Sequence, residues 1–123
     1  MEKKKILVCD DSIDILDMTS MILDDDFEVI TQSNSTELIG QALIEQPDLM
    51  LIDLWMPFLP GDQLTRTIRL TPDIAHIPII IFSAAVEGKQ MAKEAGAQDF
   101  IAKPFDIDIL YEKIRLTLRF TTD

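Results

Sequence analysis

Leu49-Met50-Leu51-Ile52-Asp53, followed by Leu54-Trp55-Met56-Pro57, carries four apolar residues straight into a carboxylate. An unbroken apolar run of this kind is what a strand covered on both faces requires, and such strands belong to parallel sheets. Comparable runs lie at residues 6–9, 27–30, 77–82 and 100–102. Between them the pattern turns helical. Ile15, Met18, Thr19 and Ile22 follow the i, i+3, i+4, i+7 spacing of one helix face. Asn34 with Glu37 reads as a capping pair, and Leu38, Ile39, Ala42 and Leu43 supply the face behind it. A third helix opens after Pro60-Gly61 and buries Leu64 and Ile68, and a short fourth closes at Gly96. The fifth begins at Asp106, with Ile107, Leu110, Ile114 and Leu118 on one stripe.

Strands alternating with helices predict βαβ units. The fold expected is one α/β domain over residues 1–123, a doubly wound five-stranded parallel sheet with helices on both faces. Right-handed crossovers give the strand order 2-1-3-4-5, which sets the first and third strands side by side. In such folds the site lies beyond the carboxyl ends of the strands, where the order reverses. Four strands end in residues suited to that position: Cys9-Asp10-Asp11, Ile52-Asp53, Phe82-Ser83 and Ala102-Lys103-Pro104.

Twenty-two acids against 11 bases leave a net charge of -11, which disfavours direct binding to DNA or RNA. No apolar run approaches the ~20 residues needed to span a bilayer. Basic residues near the start lead directly into a strand without a small-residue cleavage site, so no signal peptide is expected. The single Cys9 precludes an intrachain disulfide and fits a reducing compartment. A cytoplasmic protein is the expectation.

Three close carboxylates repel one another unless a proton or cation intervenes. Mg2+ suits them, because it prefers oxygen ligands and keeps several waters. Asp10, Asp11 and Asp53 are therefore candidate ligands, with the Trp55 backbone carbonyl completing the protein's share. Asp53 is the candidate nucleophile toward a phosphoryl donor, since a carboxylate can form an acyl phosphate. Lys103 offers a compact positive charge and Ser83 a hydroxyl to the oxygens of that group. Three aspartates and one lysine carry -2, so a divalent cation brings the resting cluster near neutrality.

Taken in order, the motifs resemble the receiver domain of bacterial two-component response regulators, over essentially the whole chain. They are Asp10-Asp11, Asp53 with Met56-Pro57 and Gly61, Ser83-Ala84, and Gly96-Ala97-Gln98-Asp99-Phe100-Ile101-Ala102-Lys103-Pro104-Phe105. The resemblance implies a flavodoxin-like (βα)5 fold and a phosphorylation-activated switch rather than an enzyme with an outside substrate. It implies that Asp53 accepts phosphate from a histidine kinase or a histidine phosphotransfer domain, with Mg2+ on Asp10, Asp11, Asp53 and the Trp55 carbonyl. Ser83 would be the switch hydroxyl and Phe100 the aromatic that moves inward with it. Lys103 would contact the phosphoryl group, and its bond to Pro104 would be cis. A downstream effector reads the result, and a dimer can form through the fourth helix, fifth strand and fifth helix.

Departures from the pattern matter. Phe100 stands where tyrosine is common, and the segment from Ser83 to Gly96 is short for the family. Trp55 is bulky beside the site and is expected to restrict water. The competing function is a Mg2+-dependent phosphatase or phosphotransferase with an aspartyl-phosphate intermediate. Haloacid-dehalogenase enzymes place a second acid two residues after their nucleophile, whereas Leu54-Trp55 follow Asp53 here. A flavodoxin-like nucleotide binder would need a hydroxyl- and glycine-rich loop where Asp10-Asp11 stand. Elsewhere Cys9 reads as a core thiol and His76 as a loop residue. Asp24-Asp25-Asp26 reads as a solvated turn with Asp26 left-handed. Ile109, Leu116 and Phe120 form a second apolar face on the last helix.

Overall fold

The computed structural model describes residues 3–84 and 87–121. Its strands are β1 (Lys5–Cys9), β2 (Glu28–Gln32), β3 (Leu49–Asp53), β4 (Ile79–Ser83) and β5 (Asp99–Ala102). They form one parallel sheet in the order β2-β1-β3-β4-β5, as the sequence predicts. The helices are α1 (Ile13–Leu23), α2 (Leu38–Glu45), α3 (Gly61–Arg69), α4 (Gly88–Ala95) and α5 (Ile107–Thr121).

Alternate residues of each central strand enter opposite cores. Leu7, Cys9, Met50, Ile52, Ile79 and Ile81 pack against α2, α3 and α4 through Leu38, Ala42, Leu64, Ile68 and Ala92. Ile6, Val8, Leu49, Leu51, Ile80, Phe82 and Ile101 meet α1 and α5 through Leu16, Leu23, Leu110, Ile114 and Leu118. All of β3 and β4 is buried, which explains their uninterrupted apolar sequences. Edge strand β2 is only partly covered and can carry Glu28 and Thr31.

Several details differ from the sequence reading. On α1 the buried residues are Leu16, Thr19 and Leu23, while Met18 is exposed and Ile15 and Ile22 are half-buried. The helix is apolar over more than one face, and the sheet selects the stripe one residue further on. Asn34 caps a single 3-10 turn, Ser35–Glu37, from which α2 then starts. Leu43 and Ile107 are exposed rather than buried. The acidic turn 24–26 is exposed as expected, but Asp26 is not left-handed. The left-handed residues other than glycine, among those described, are Gln46, which ends α2, and Phe58. Helix α4 stops at Gly96 with φ 100°. No helix of the described residues is long and apolar enough to cross a membrane.

Candidate functional site

The register brings the tips of β1, β3, β4 and β5 to one edge: Cys9 pairs with Ile52, Asp53 with Phe82, and Ser83 with Ala102. Asp10 is one residue past β1 and almost wholly buried. Its Oδ1 accepts from the Ser12 backbone N–H at 2.8 Å, and Ser12 in turn caps α1 by accepting from the Ile15 N–H at 3.3 Å. The start of α1 thus fixes one Asp10 oxygen and leaves the other facing the cleft.

Lys103 closes that side. Its backbone N–H donates to the Ser83 carbonyl at 2.9 Å, and its bond to Pro104 is cis. Its Nζ donates to Asp10 Oδ2 and to Asp53 Oδ1, both at 3.0 Å. Beneath it the Phe82 ring lies 4.5 Å from Nζ, a cation–π contact that steers the lysine into the cleft. Phe105 meets Phe82 edge-on with centroids 6.4 Å apart.

Burial raises the Asp53 carboxyl, the Lys103 hydrogen bond opposes this, and nearby Asp10 adds to the rise; the net result is about 6. Burial alone would lower the Lys103 ammonium, yet hydrogen bonds and charge from Asp53 and Asp10 outweigh it and leave it raised. Cys9 lies beneath, with Sγ 3.7 Å from Met56 Sδ. Burial, and then the charges of Asp10, Asp53 and Asp11, push its thiol up to about 12. A thiol held neutral in this way is a core group.

Asp10, Asp11 and Asp53 each offer a carboxylate oxygen, and the three oxygens lie within 4.8 Å of one another. An octahedral Mg2+ with ligands at ~2.1 Å places its oxygens roughly 3–4 Å apart, so small rotations of these side chains suffice. All-oxygen donors of net negative charge fit that ion. The loop after β3 forms the rim. Gly61 N–H donates to Leu54 O at 2.7 Å, and Ser35 Oγ donates to Pro57 O at 3.2 Å. Trp55 stands half-exposed on this rim, Ser83 is buried, and Phe100 is half-buried.

The structure therefore gathers Asp10, Asp11, Asp53 and Lys103 into one cleft, with Ser83 on the adjoining strand tip. It leaves His76 exposed in a turn outside the cleft. The sequence reading did not single out Ser12 or Phe82. A serine after an acidic pair is a capping signal that would have found the first. Nothing in an apolar strand residue announces a ring beneath a lysine.

A five-stranded doubly wound α/β domain with a buried aspartate, two neighbouring carboxylates and a lysine at the reversal of its sheet defines a domain with a cation-competent acidic cleft. Comparison with known proteins makes this specific. The family model for the response regulator receiver domain matches residues 6–115. Protein PilH of Pseudomonas aeruginosa is 32% identical over 117 residues, covering 93% of this chain and 97% of that protein. A putative response regulator from Chloroflexus aurantiacus superposes with a TM-score of 0.91 at 26% identity, covering 96% and 99% of the two chains. The receiver domain of sensor histidine kinase PA1611 from Pseudomonas aeruginosa, described with a magnesium ion coordinated in its active-site cleft, gives 0.87 at 25% identity over 94% and 98%. Other curated relatives are longer: the chain spans 26% of one and about half (51%) of another. The chain belongs to the response regulator receiver domain family, whose general role is a phosphorylation switch and whose members typically bind Mg2+.

Proposed function

We propose that this domain is a Mg2+-dependent phosphorylation switch in which Asp53 is the phosphoacceptor. The observation that carries the reading is the double contact of Lys103 Nζ with Asp10 and Asp53, 3.0 Å from each. A nucleophilic carboxylate needs one oxygen aimed at the donor, and a fixed cation on its other side holds it so. An Asp53 oxygen attacks the phosphorus of a phosphohistidine on a histidine kinase or phosphotransfer domain. The new O–P bond forms as the P–N bond breaks, and the imidazole leaves with the electron pair. Water later cleaves the acyl phosphate, returning inorganic phosphate and the free carboxylate.

Mg2+ on Asp10, Asp11, Asp53 and the Trp55 carbonyl would neutralise charge on the phosphoryl oxygens. Lys103 exchanges a carboxylate partner for a phosphoryl oxygen, and Ser83 donates to another, with Phe100 following inward. A groove of about 460 Å³ opens beside Lys103, lined by Ile15, Met18, Ile22, Pro104, Phe105 and Ile107. It offers the phosphodonor an apolar face next to the cleft. The domain turns over no outside substrate and works as a cytoplasmic signalling module.

The effector reads the surface of α4, β5 and α5, where a second copy can also dock. Ile109 and Leu116 are exposed there, while the Phe120 side chain lies outside the described residues. Phosphorylation should then raise the sedimentation coefficient of wild type and not of Leu116→Glu; identical behaviour would remove the self-association. The central test is mass measurement after incubation with acetyl phosphate and Mg2+. One phosphate is expected on wild type and none on Asp53→Asn. A phosphate retained by Asp53→Asn would sink the assignment.

A further inference from the structure

Gly88 is the first residue of α4, and it is buried. Its φ is not in the left-handed range, so the backbone does not ask for glycine. Space does. A Cβ at Gly88 would stand 2.8 Å from Phe100 Cε1, 3.0 Å from Phe100 Cζ and 3.4 Å from Ser83 Cβ. The start of α4, the ring of Phe100 and the side chain of Ser83 thus meet at one point. The ring also packs on the core beneath α4.

We infer that Gly88 is a positioning residue, the seat into which Phe100 folds over Ser83, so that the ring and the first turn of α4 compete for one volume. The inference rests on the proposed pairing of Ser83 and Phe100 as the switch. Two bodies that share a volume have coupled positions: inward movement of α4 expels the ring, and an inward ring holds α4 off. This is how a hydroxyl on β4 moves a helix on the output face.

The seat has a side-chain floor rather than a backbone one, and that decides what a substitution does. Glycine to alanine at a right-handed helix position is ordinarily neutral or stabilising. Here the added methyl meets the far end of a rotatable ring, so the ring swings outward and the fold survives. Four proteins test this: wild type, Gly88→Ala, Phe100→Ala, and the double variant. Without ligand, Gly88→Ala should lose the NMR cross-relaxation between the Phe100 ring and the Ser83 Cβ protons. With beryllium fluoride and Mg2+, a stand-in for the phosphoryl group, binding is read from Trp55, the only tryptophan. Gly88→Ala should weaken it by roughly tenfold while Phe100 is present, the size of a modest population shift. In the Phe100→Ala background the same change should have no effect.

A ring that keeps its contact in Gly88→Ala overturns the inference, as does equal weakening in both backgrounds. Should Gly88→Ala fail to fold, the double variant must fold; its failure also overturns the seat. Wild type that does not bind beryllium fluoride would instead refute the phosphorylation reading, and the ligand-free contact would still report on Gly88.

Discussion

Asp53 is held in a state that costs the fold. Its carboxyl titrates at about 6 instead of 3.8, chiefly because it is buried. Between those values the folded protein keeps a proton that the unfolded chain releases, so stability falls as pH rises through this window. Above about pH 6 the full penalty persists. Asp53→Asn removes it. In chelator-containing buffer at pH 7.5 the variant should be more stable than wild type by roughly 1–3 kcal/mol, the gain fading below pH 4. Urea denaturation at the two pH values measures this, and a wild type more stable at pH 7.5 would contradict it. Lys103 keeps Asp10 as a partner in the variant, which limits the offsetting loss. Trp55 makes a second prediction at this scale. Its indole is half-exposed on the loop two residues after Asp53. Trp55→Ala should speed hydrolysis of the Asp53 phosphate several-fold by admitting water; an unchanged phosphate lifetime would show that the indole shields nothing.

Between elements, α3 comes very close to the tip of β3 at Gly61. A Cβ on Gly61 would overlap the Asp53 carbonyl oxygen and lie 2.9 Å from its carbon and 3.0 Å from Leu54 Cα. All three obstacles are backbone and cannot rotate aside as Phe100 can. Gly61→Ala should therefore cost about 1–3 kcal/mol by overpacking and slow acetyl phosphate labelling of Asp53. Normal stability and labelling would mean that α3 can slide without moving Asp53. Elements also show where the sequence could be read and where it could not. Strands buried on both faces announce themselves, because β3 and β4 carry no polar residue until their C-terminal tips. Charged and hydroxyl residues at those tips violate the pattern, which is why the site was visible. Helix faces were less legible. Ile15, Met18 and Ile22 have the spacing of a core stripe, yet they line the groove beside Lys103 while Leu16 and Leu23 enter the core. Periodicity reports that a helix has an apolar face; only the sheet's position decides which of two faces it takes. The seat at Gly88 was invisible for a related reason, since it depends on where a ring from β5 arrives.

At the scale of the whole molecule, folding brings Asp53 to the consecutive pair Asp10-Asp11, from which the open chain keeps it apart, within a protein already carrying 22 acids and 11 bases. A divalent cation therefore has a reason to bind the native state and little reason to bind the unfolded one. At ten times its Kd such a ligand adds RT ln 11, about 1.4 kcal/mol. For a domain of this length that is a rise in Tm of roughly 4–7 °C. General screening of the net charge of -11 would also stabilise, and must be separated from it. MgCl2 should raise Tm beyond NaCl of equal ionic strength in wild type. In Asp10→Asn/Asp11→Asn the rise should fall to the NaCl value, because one carboxylate, Asp53, remains and Lys103 already pairs with it. If the double variant keeps the whole Mg2+ increment, the cation acts on the acidic surface at large, and the cleft is not what holds it.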